Sequence, residues 1–293
     1  MLKILVSVGV VAALIWWVGA EGIWARLRAV DAAWVSVAVV SLTFATLSMA
    51  RRWQLVAREM ALEISFPLAV REYYIAQLAN SLLPGGVVGD VGRAVRVRKW
   101  ASLRRAAESV IVERLLGQVA LLAVLLIGLA TALTVPKGIA WPVWTWGGIA
   151  ICVAVAVGLL RAPGVIGRIS ALVFRLYQRP ELLVHGALSS GALILAFYAS
   201  ARATGTVLPP AAWTTLIPLV LCAMLIPLSI GGWGWREGAA AALYPLVGAS
   251  ADAGVATGLV YGAAIIASAL PAGLILLVEI GQSKTPQQDQ RML

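Results

Sequence analysis

Apolar residues fill most of the chain in long runs, divided by short basic or glycine-rich stretches. The runs cover residues 4–20, 33–50, 109–135, 142–160, 182–201, 211–226, 238–247 and 253–278. A helix needs about 20 apolar residues to cross a bilayer. The pattern therefore predicts an all-α polytopic membrane protein, with about eight transmembrane helices. Residues 66–83 are apolar enough to enter the membrane but too few and too broken to cross and continue. A re-entrant hairpin is expected there, with 84–92 near its tip or return arm.

Two polar interruptions are alike. The first reads Asn80-Ser81-Leu82-Leu83-Pro84-Gly85-Gly86-Val87-Val88-Gly89-Asp90-Val91-Gly92-Arg93. The second reads Ile226-Pro227-Leu228-Ser229-Ile230-Gly231-Gly232-Trp233-Gly234-Trp235-Arg236-Glu237. Each sets an arginine nine residues after a proline, with glycines between and an acid close by. Pro84, Gly85, Gly86 and Gly89 in one, and Pro227, Gly231, Gly232 and Gly234 in the other, are helix breakers. A broken helix in a bilayer must be buried in protein or line a wet cavity. Such breaks in corresponding positions of two halves point to a transport site and to an internal repeat. The expected organisation is one domain over 1–293, with halves 1–135 and 136–280 and a polar tail, 281–293.

Composition narrows the choice. The chain is 61% hydrophobic and 12% charged, too apolar for a soluble domain. Its formal charge of +10 does not point to nucleic acid, because most basic residues sit in loops between apolar runs. Arg51, Arg52 and Arg58 follow the second run, Arg93 to Arg105 the first break, and Arg161 to Arg179 the fourth run. The positive-inside rule then places both termini in the cytoplasm. Residues 164–179 read as an amphipathic helix on the cytoplasmic leaflet, or as an extension of a span. Val18-Gly19-Ala20 could pass for a signal cleavage site, but the many later spans favour an uncleaved first span. Cys152 and Cys222 lie in apolar runs and His185 stands alone, so neither disulfide, metal nor cofactor is expected.

A charge in the membrane costs roughly 2.5–3.5 kcal/mol on insertion scales, so those that persist mark a cavity with partners. The candidates are Asp90, Arg93, Glu113, Arg114, Arg236 and Glu237, with Asn80 and Ser229 as polar neighbours. Arg236 stands out, having no other base near it. A guanidinium fork suits phosphate, and glycines let backbone N–H groups approach an anion. Arginine at such a break is a candidate cradle for a lipid phosphate.

The first break, with Asn80, Leu83-Pro84-Gly85-Gly86, Gly89-Asp90 and Arg93, resembles the first signature of the lysylphosphatidylglycerol synthase transmembrane-region family. Residues 226–238 resemble its second signature, Glu113-Arg114-Leu115-x-Gly117 its acid-Arg-x-x-Gly element, and Arg51-Arg52-Trp53 its Arg-Trp ending of an early span. The resemblance implies a flippase-like domain without the aminoacyltransferase domain of the fused members. It implies translocation of an anionic or phosphate-linked lipid, such as a modified phospholipid or polyprenyl-phosphate glycolipid, across a bacterial inner membrane. The six charged candidates would form its polar site. Two alternatives stay open: an integral-membrane headgroup transferase, and a non-transporting lipid-binding subunit. The expected partners are the lipid substrate and a lipid-modifying or glycosyltransferase enzyme. No catalytic motif is evident.

Overall fold

The computed structural model describes residues 2–83, 87–98, 102–134, 161–225 and 231–283, with isolated positions between 139 and 158. The regular elements among the described residues are all helical. They are α1 (Leu2–Val18), α2 (Ala20–Arg28), α3 (Ala32–Glu59), α4 (Phe66–Leu82), α5 (Val88–Val97), α6 (Leu103–Thr134) and α7 (Gly164–Tyr177). Then come α8 (Pro180–Ala203), α9 (Pro210–Thr214), α10 (Leu216–Ala223), α11 (Trp235–Leu243), a 3-10 turn (Tyr244–Val247), α12 (Ala251–Ala269) and α13 (Pro271–Ser283).

Four stretches are long and apolar enough to cross a membrane: Ala32–Glu59, Leu103–Ala132, Pro180–Ala203 and Ala251–Leu277, the last running from α12 into α13. This is a multi-pass helical membrane protein. Several expected spans take another form. The first bends by 99° between α1 and α2, where Gly19 takes a φ of 100°. The 211–226 run is two helices, α9 and α10, parted at Thr215. Pro218 has no N–H to give the Thr214 carbonyl, so the ladder fails there. The 238–247 run is not a span. The nine residues of α11 reach about 14 Å at ~1.5 Å each, well short of a ~30 Å hydrocarbon core. Pro245 and a left-handed Gly248 end that segment. Residues 142–160 fall mostly outside the described residues, as do Pro84, Gly85, Gly86, Pro227, Ser229 and the tail from 284.

The scaffold is a pair of antiparallel helices. At one end Arg179, which caps the start of α8, lies 3.4 Å from Glu59 at the end of α3. At the other end Asp31, the N-cap of α3, donates its N–H to the Ala203 carbonyl at 3.0 Å. α6 starts beside the Glu59 end, where Trp53 donates its indole N–H to Ser109. α12 starts at the other end, where the Thr204 and Thr257 hydroxyls meet at 3.1 Å. A common order thus appears twice. A long helix is followed by an apolar entry segment, a break, a short helix carrying an arginine, and a second long helix. The two sets, α3–α6 and α8–α12, run in opposite senses. α3 packs on α12 and α8 packs on α6, so each set leans on the other's last helix.

Small residues let these helices approach. Gly254, Gly258 and Gly262 recur every fourth residue on one face of α12. A Cβ on Gly254 would stand 2.6 Å from the Ala240 backbone. At Gly258 it would meet Glu237, and at Gly262 the Arg236 guanidinium at 2.3 Å. The stripe is a small-xxx-small helix contact, and it seats α11 directly on α12. In the first half Gly89 does similar service: its Cβ would fall 2.1 Å from the Ala76 carbonyl oxygen, so α5 lies hard against α4. Gly254→Ala should lower the thermal unfolding midpoint in detergent, with overpacking of a tight contact costing roughly 1–3 kcal/mol. Gly191→Ala, where a Cβ meets nothing within 4 Å, should leave the midpoint unchanged or raise it.

Candidate functional site

The first break gathers charge from three helices, α3, α5 and α6. Glu113 of α6 is fully buried and is the hub. Its Oε1 accepts from Arg52 Nε at 3.1 Å and Nη2 at 2.7 Å. The Tyr73 hydroxyl lies 3.0 Å from both carboxylate oxygens, and Arg93 Nη2 reaches Oε2 at 3.4 Å. Arg52 spends its remaining terminal nitrogen on the Ser189 hydroxyl of α8, at 2.8 Å. These bonds join α3, α4, α5, α6 and α8 around one carboxylate.

Asp90 is the second acid. It faces Arg93 at 3.2 Å, one turn on, pairs with Arg114, and accepts from the Asn80 amide at 3.1 Å. Asn80 in turn takes the Gly89 N–H at 2.8 Å, closing the break onto the start of α5. Arg93 is fully buried and sandwiched, its guanidinium carbon 4.4 Å from the ring centres of both Trp53 and Tyr73. Its Nε and Nη1 have no hydrogen-bond partner among the described residues; the aromatic faces supply the compensating attraction.

The second break is built on the same plan but closed. Arg236 and Glu237 are both fully buried. Arg236 Nε donates to Glu237 at 3.0 Å, with its guanidinium carbon 4.7 Å from the Trp233 ring centre and 5.7 Å from that of Tyr261. Glu237 also accepts the Gly234 N–H at 2.6 Å, which caps the start of α11. Gly231, Gly232 and Gly234 take φ values of 52°, 80° and 90°, a turn open to glycine and strained for other residues.

A cavity of about 410 Å³ lies between the two breaks. Its charged end carries Arg52, Asp90, Glu113 and Arg114, and Tyr73 and Asn80 stand beside them. Gly231 and Gly232 reach it from the second break. Leu42, Met49, Leu121, Leu193, Leu221 and Ile265 give it an apolar remainder. Of the sequence candidates, Asp90, Glu113, Arg114 and Asn80 therefore meet at the cavity. Arg93 backs its wall, while Arg236 and Glu237 sit behind Tyr261, away from the cavity surface. Arg52, Tyr73 and Ser189 belong to the cluster too but were not among those candidates. Arg52 read as the start of a basic loop, whereas α3 continues to Glu59. Nothing breaks a helix between Ala50 and Glu59, and burial of Arg52 is made tolerable by Glu113.

Residues 4–273 match the lysylphosphatidylglycerol synthase TM region. The chain belongs to that family. No curated protein matches it. Both breaks, the Glu113-Arg114 pair and the Arg52-Trp53 pair lie inside the stretch that matches the lysylphosphatidylglycerol synthase TM region, so the cavity is part of the family's membrane domain. Membership supports a function connected with membrane lipid.

Removing one partner of a buried ion pair typically costs about 3–5 kcal/mol, because the other charge is left uncompensated. Glu113→Ala should therefore lower the unfolding midpoint sharply. Adding Arg52→Ala to it should cost less than the sum of the two single changes, since the pair goes together. A four-variant thermal-unfolding series checks both points.

Proposed function

We propose that this protein moves an anionic, phosphate-linked lipid from one leaflet to the other. The observation that carries the reading is the charge at the cavity's end. Three guanidiniums, Arg52, Arg93 and Arg114, stand against two carboxylates, Asp90 and Glu113. One formal positive charge is left over, beside a largely apolar chamber. Arg114 is the natural anion ligand: its side chain is 41% exposed, and its bond to Asp90 uses only one terminal nitrogen. A phosphate would take the remaining fork, while the tails stay among the leucines and in lipid.

Two oppositely oriented sets around a central cavity suit alternating access, in which one set rocks against the other. The second break, with Arg236 behind Tyr261, would be the counterpart that opens toward the other leaflet. The distribution of basic loops supports cytoplasmic termini in a bacterial inner membrane. A headgroup transferase would need a free acid or base near the substrate, and here the carboxylates of Asp90 and Glu113 are both engaged by arginines.

Arg114→Gln in protein-containing vesicles should slow translocation of an acyl-labelled anionic phospholipid by roughly tenfold or more, the scale of one lost charge-assisted contact. The midpoint of unfolding should move little, because Arg114 is the most exposed member of the cluster. Undiminished translocation would falsify the reading. Arg236→Ala is the less informative variant: it strands the buried Glu237 carboxylate, so lost stability and lost transport would arrive together.

A further inference from the structure

A second, smaller pocket lies on the outside of the helix bundle. Arg104, Glu108 and Val112 of α6 and Arg168, Ile169 and Leu172 of α7 enclose about 150 Å³. None of these residues lines the larger cavity. We infer that this pocket binds the phosphate of an anionic lipid of the surrounding membrane, and that the lipid bridges α6 and α7 from outside. The inference does not depend on the translocation reading.

The charge of the pocket calls for an anion. Two guanidiniums stand there with one carboxylate, which leaves a surplus positive charge. Arg104 spends only its Nε, on Glu108 at 2.9 Å, and its side chain is 67% exposed. An exposed pair at this spacing holds its partners weakly, and the terminal nitrogens of Arg104 stay available. Arg168 is exposed and has no hydrogen-bond or ion-pair partner among the described residues. Guanidiniums from two helices can share the oxygens of one phosphate, over a floor of Val112, Ile169 and Leu172.

The position of the pocket selects a lipid over a soluble anion. The 30 residues of Leu103–Ala132 extend about 45 Å at ~1.5 Å each, beyond a ~30 Å hydrocarbon core. Arg104 and Glu108 lie in the first two turns, at the overhanging end where headgroups sit. Positions 104, 108, 111, 115 and 119 follow one another by three or four, so they form a single stripe along α6. The stripe is charged at its head and apolar below, at Ile111, Leu115 and Val119, and Ile111 and Val119 are exposed. An acyl tail lying along these residues puts its phosphate between the two arginines. Basic pockets beside membrane spans recognise anionic lipids in this way.

Occupancy bears on the hub of the structure. Ile169, Leu172, Val173 and Leu176 pack α7 against Leu55 and Val56 of α3 and Val112 and Leu116 of α6. Val112 immediately precedes Glu113. A phosphate held between Arg104 and Arg168 adds a polar clamp at the open edge of that packing, and a ligand bound only by the folded state raises its stability.

The test places the full-length protein in phosphatidylcholine nanodiscs doped with a phosphatidylglycerol that carries a diazirine near the carboxyl end of one acyl chain. Label sites are read by peptide mass spectrometry after irradiation. Label should concentrate on the 103–119 segment. Arg104→Gln combined with Arg168→Gln should reduce it there by roughly tenfold, the scale of a lost charge-assisted contact, while label at Leu193 and Leu221 in the larger cavity is unchanged. Glu108→Gln, which removes the competing carboxylate, should increase it. Phosphatidylglycerol should raise the unfolding midpoint of the parent protein more than that of the double variant, and without anionic lipid the two midpoints should agree. Equal labelling by a diazirine phosphatidylcholine, or label on 103–119 that survives the double substitution, overturns the inference. Loss of that label to excess inorganic phosphate overturns the lipid assignment and makes the pocket a site for a soluble anion.

Discussion

The Glu113 carboxylate is buried among apolar helices, where a lone charge would be far too costly to keep. Everything near the first break follows from how that charge is satisfied. Arg52 must leave the end of its span and turn inward. Tyr73 must face the same point from α4. Arg93 must be carried there by a short helix that begins right after a break, since a continuous α4 could not return to that depth. Ser189 then fixes the spare end of Arg52 and so ties α8, the lead helix of the second set, to the first. The broken helix is thus a geometric answer to a pairing problem as much as a hole for a ligand.

The second break solves a smaller problem with different means. Arg236 and Glu237 are neighbours in sequence and pair with each other, so no distant acid is required. What holds them is shape. The glycine stripe at 254, 258 and 262 removes the side chains that would otherwise keep α11 away, and Trp233 and Tyr261 cover the guanidinium. One arginine is held mainly by charge and the other mainly by packing, although both lie between an indole and a phenol ring. That difference explains why only the first half presents charge to the cavity.

The sequence carries some of this on its surface. The long spans could be read from run length alone, because four continuous apolar helices need nothing but hydropathy to define them. Asp90, Glu113 and Arg114 could be found because charge in an apolar setting is conspicuous. Arg52 could not, since two arginines together with Arg58 look like a loop signal, and its inward turn is set by an acid 61 residues away. The 238–247 run failed for the opposite reason: hydropathy does not distinguish a segment that crosses from one buried in protein, and Pro245 and Gly248 were the clue to its shortness. Gly254, Gly258 and Gly262 have the spacing of a helix-contact stripe, but only the structure singles it out and gives α11 as its partner. Nothing in the local pattern reveals that Arg236 would sit behind Tyr261.

The three-to-two excess of guanidinium over carboxylate has an electrical consequence. A transmembrane voltage does work only on net charge that moves through it, about 2.3 kcal/mol per elementary charge per 100 mV. The α3 and α8 dipoles oppose one another and largely cancel, so the scaffold itself offers the field little to act on. A bound phosphodiester neutralises the surplus. On the translocation reading, the loaded site then shifts without electrical work, while the empty site shifts as a cation. The voltage therefore acts on the return stroke, and an energised membrane would bias where the empty carrier waits.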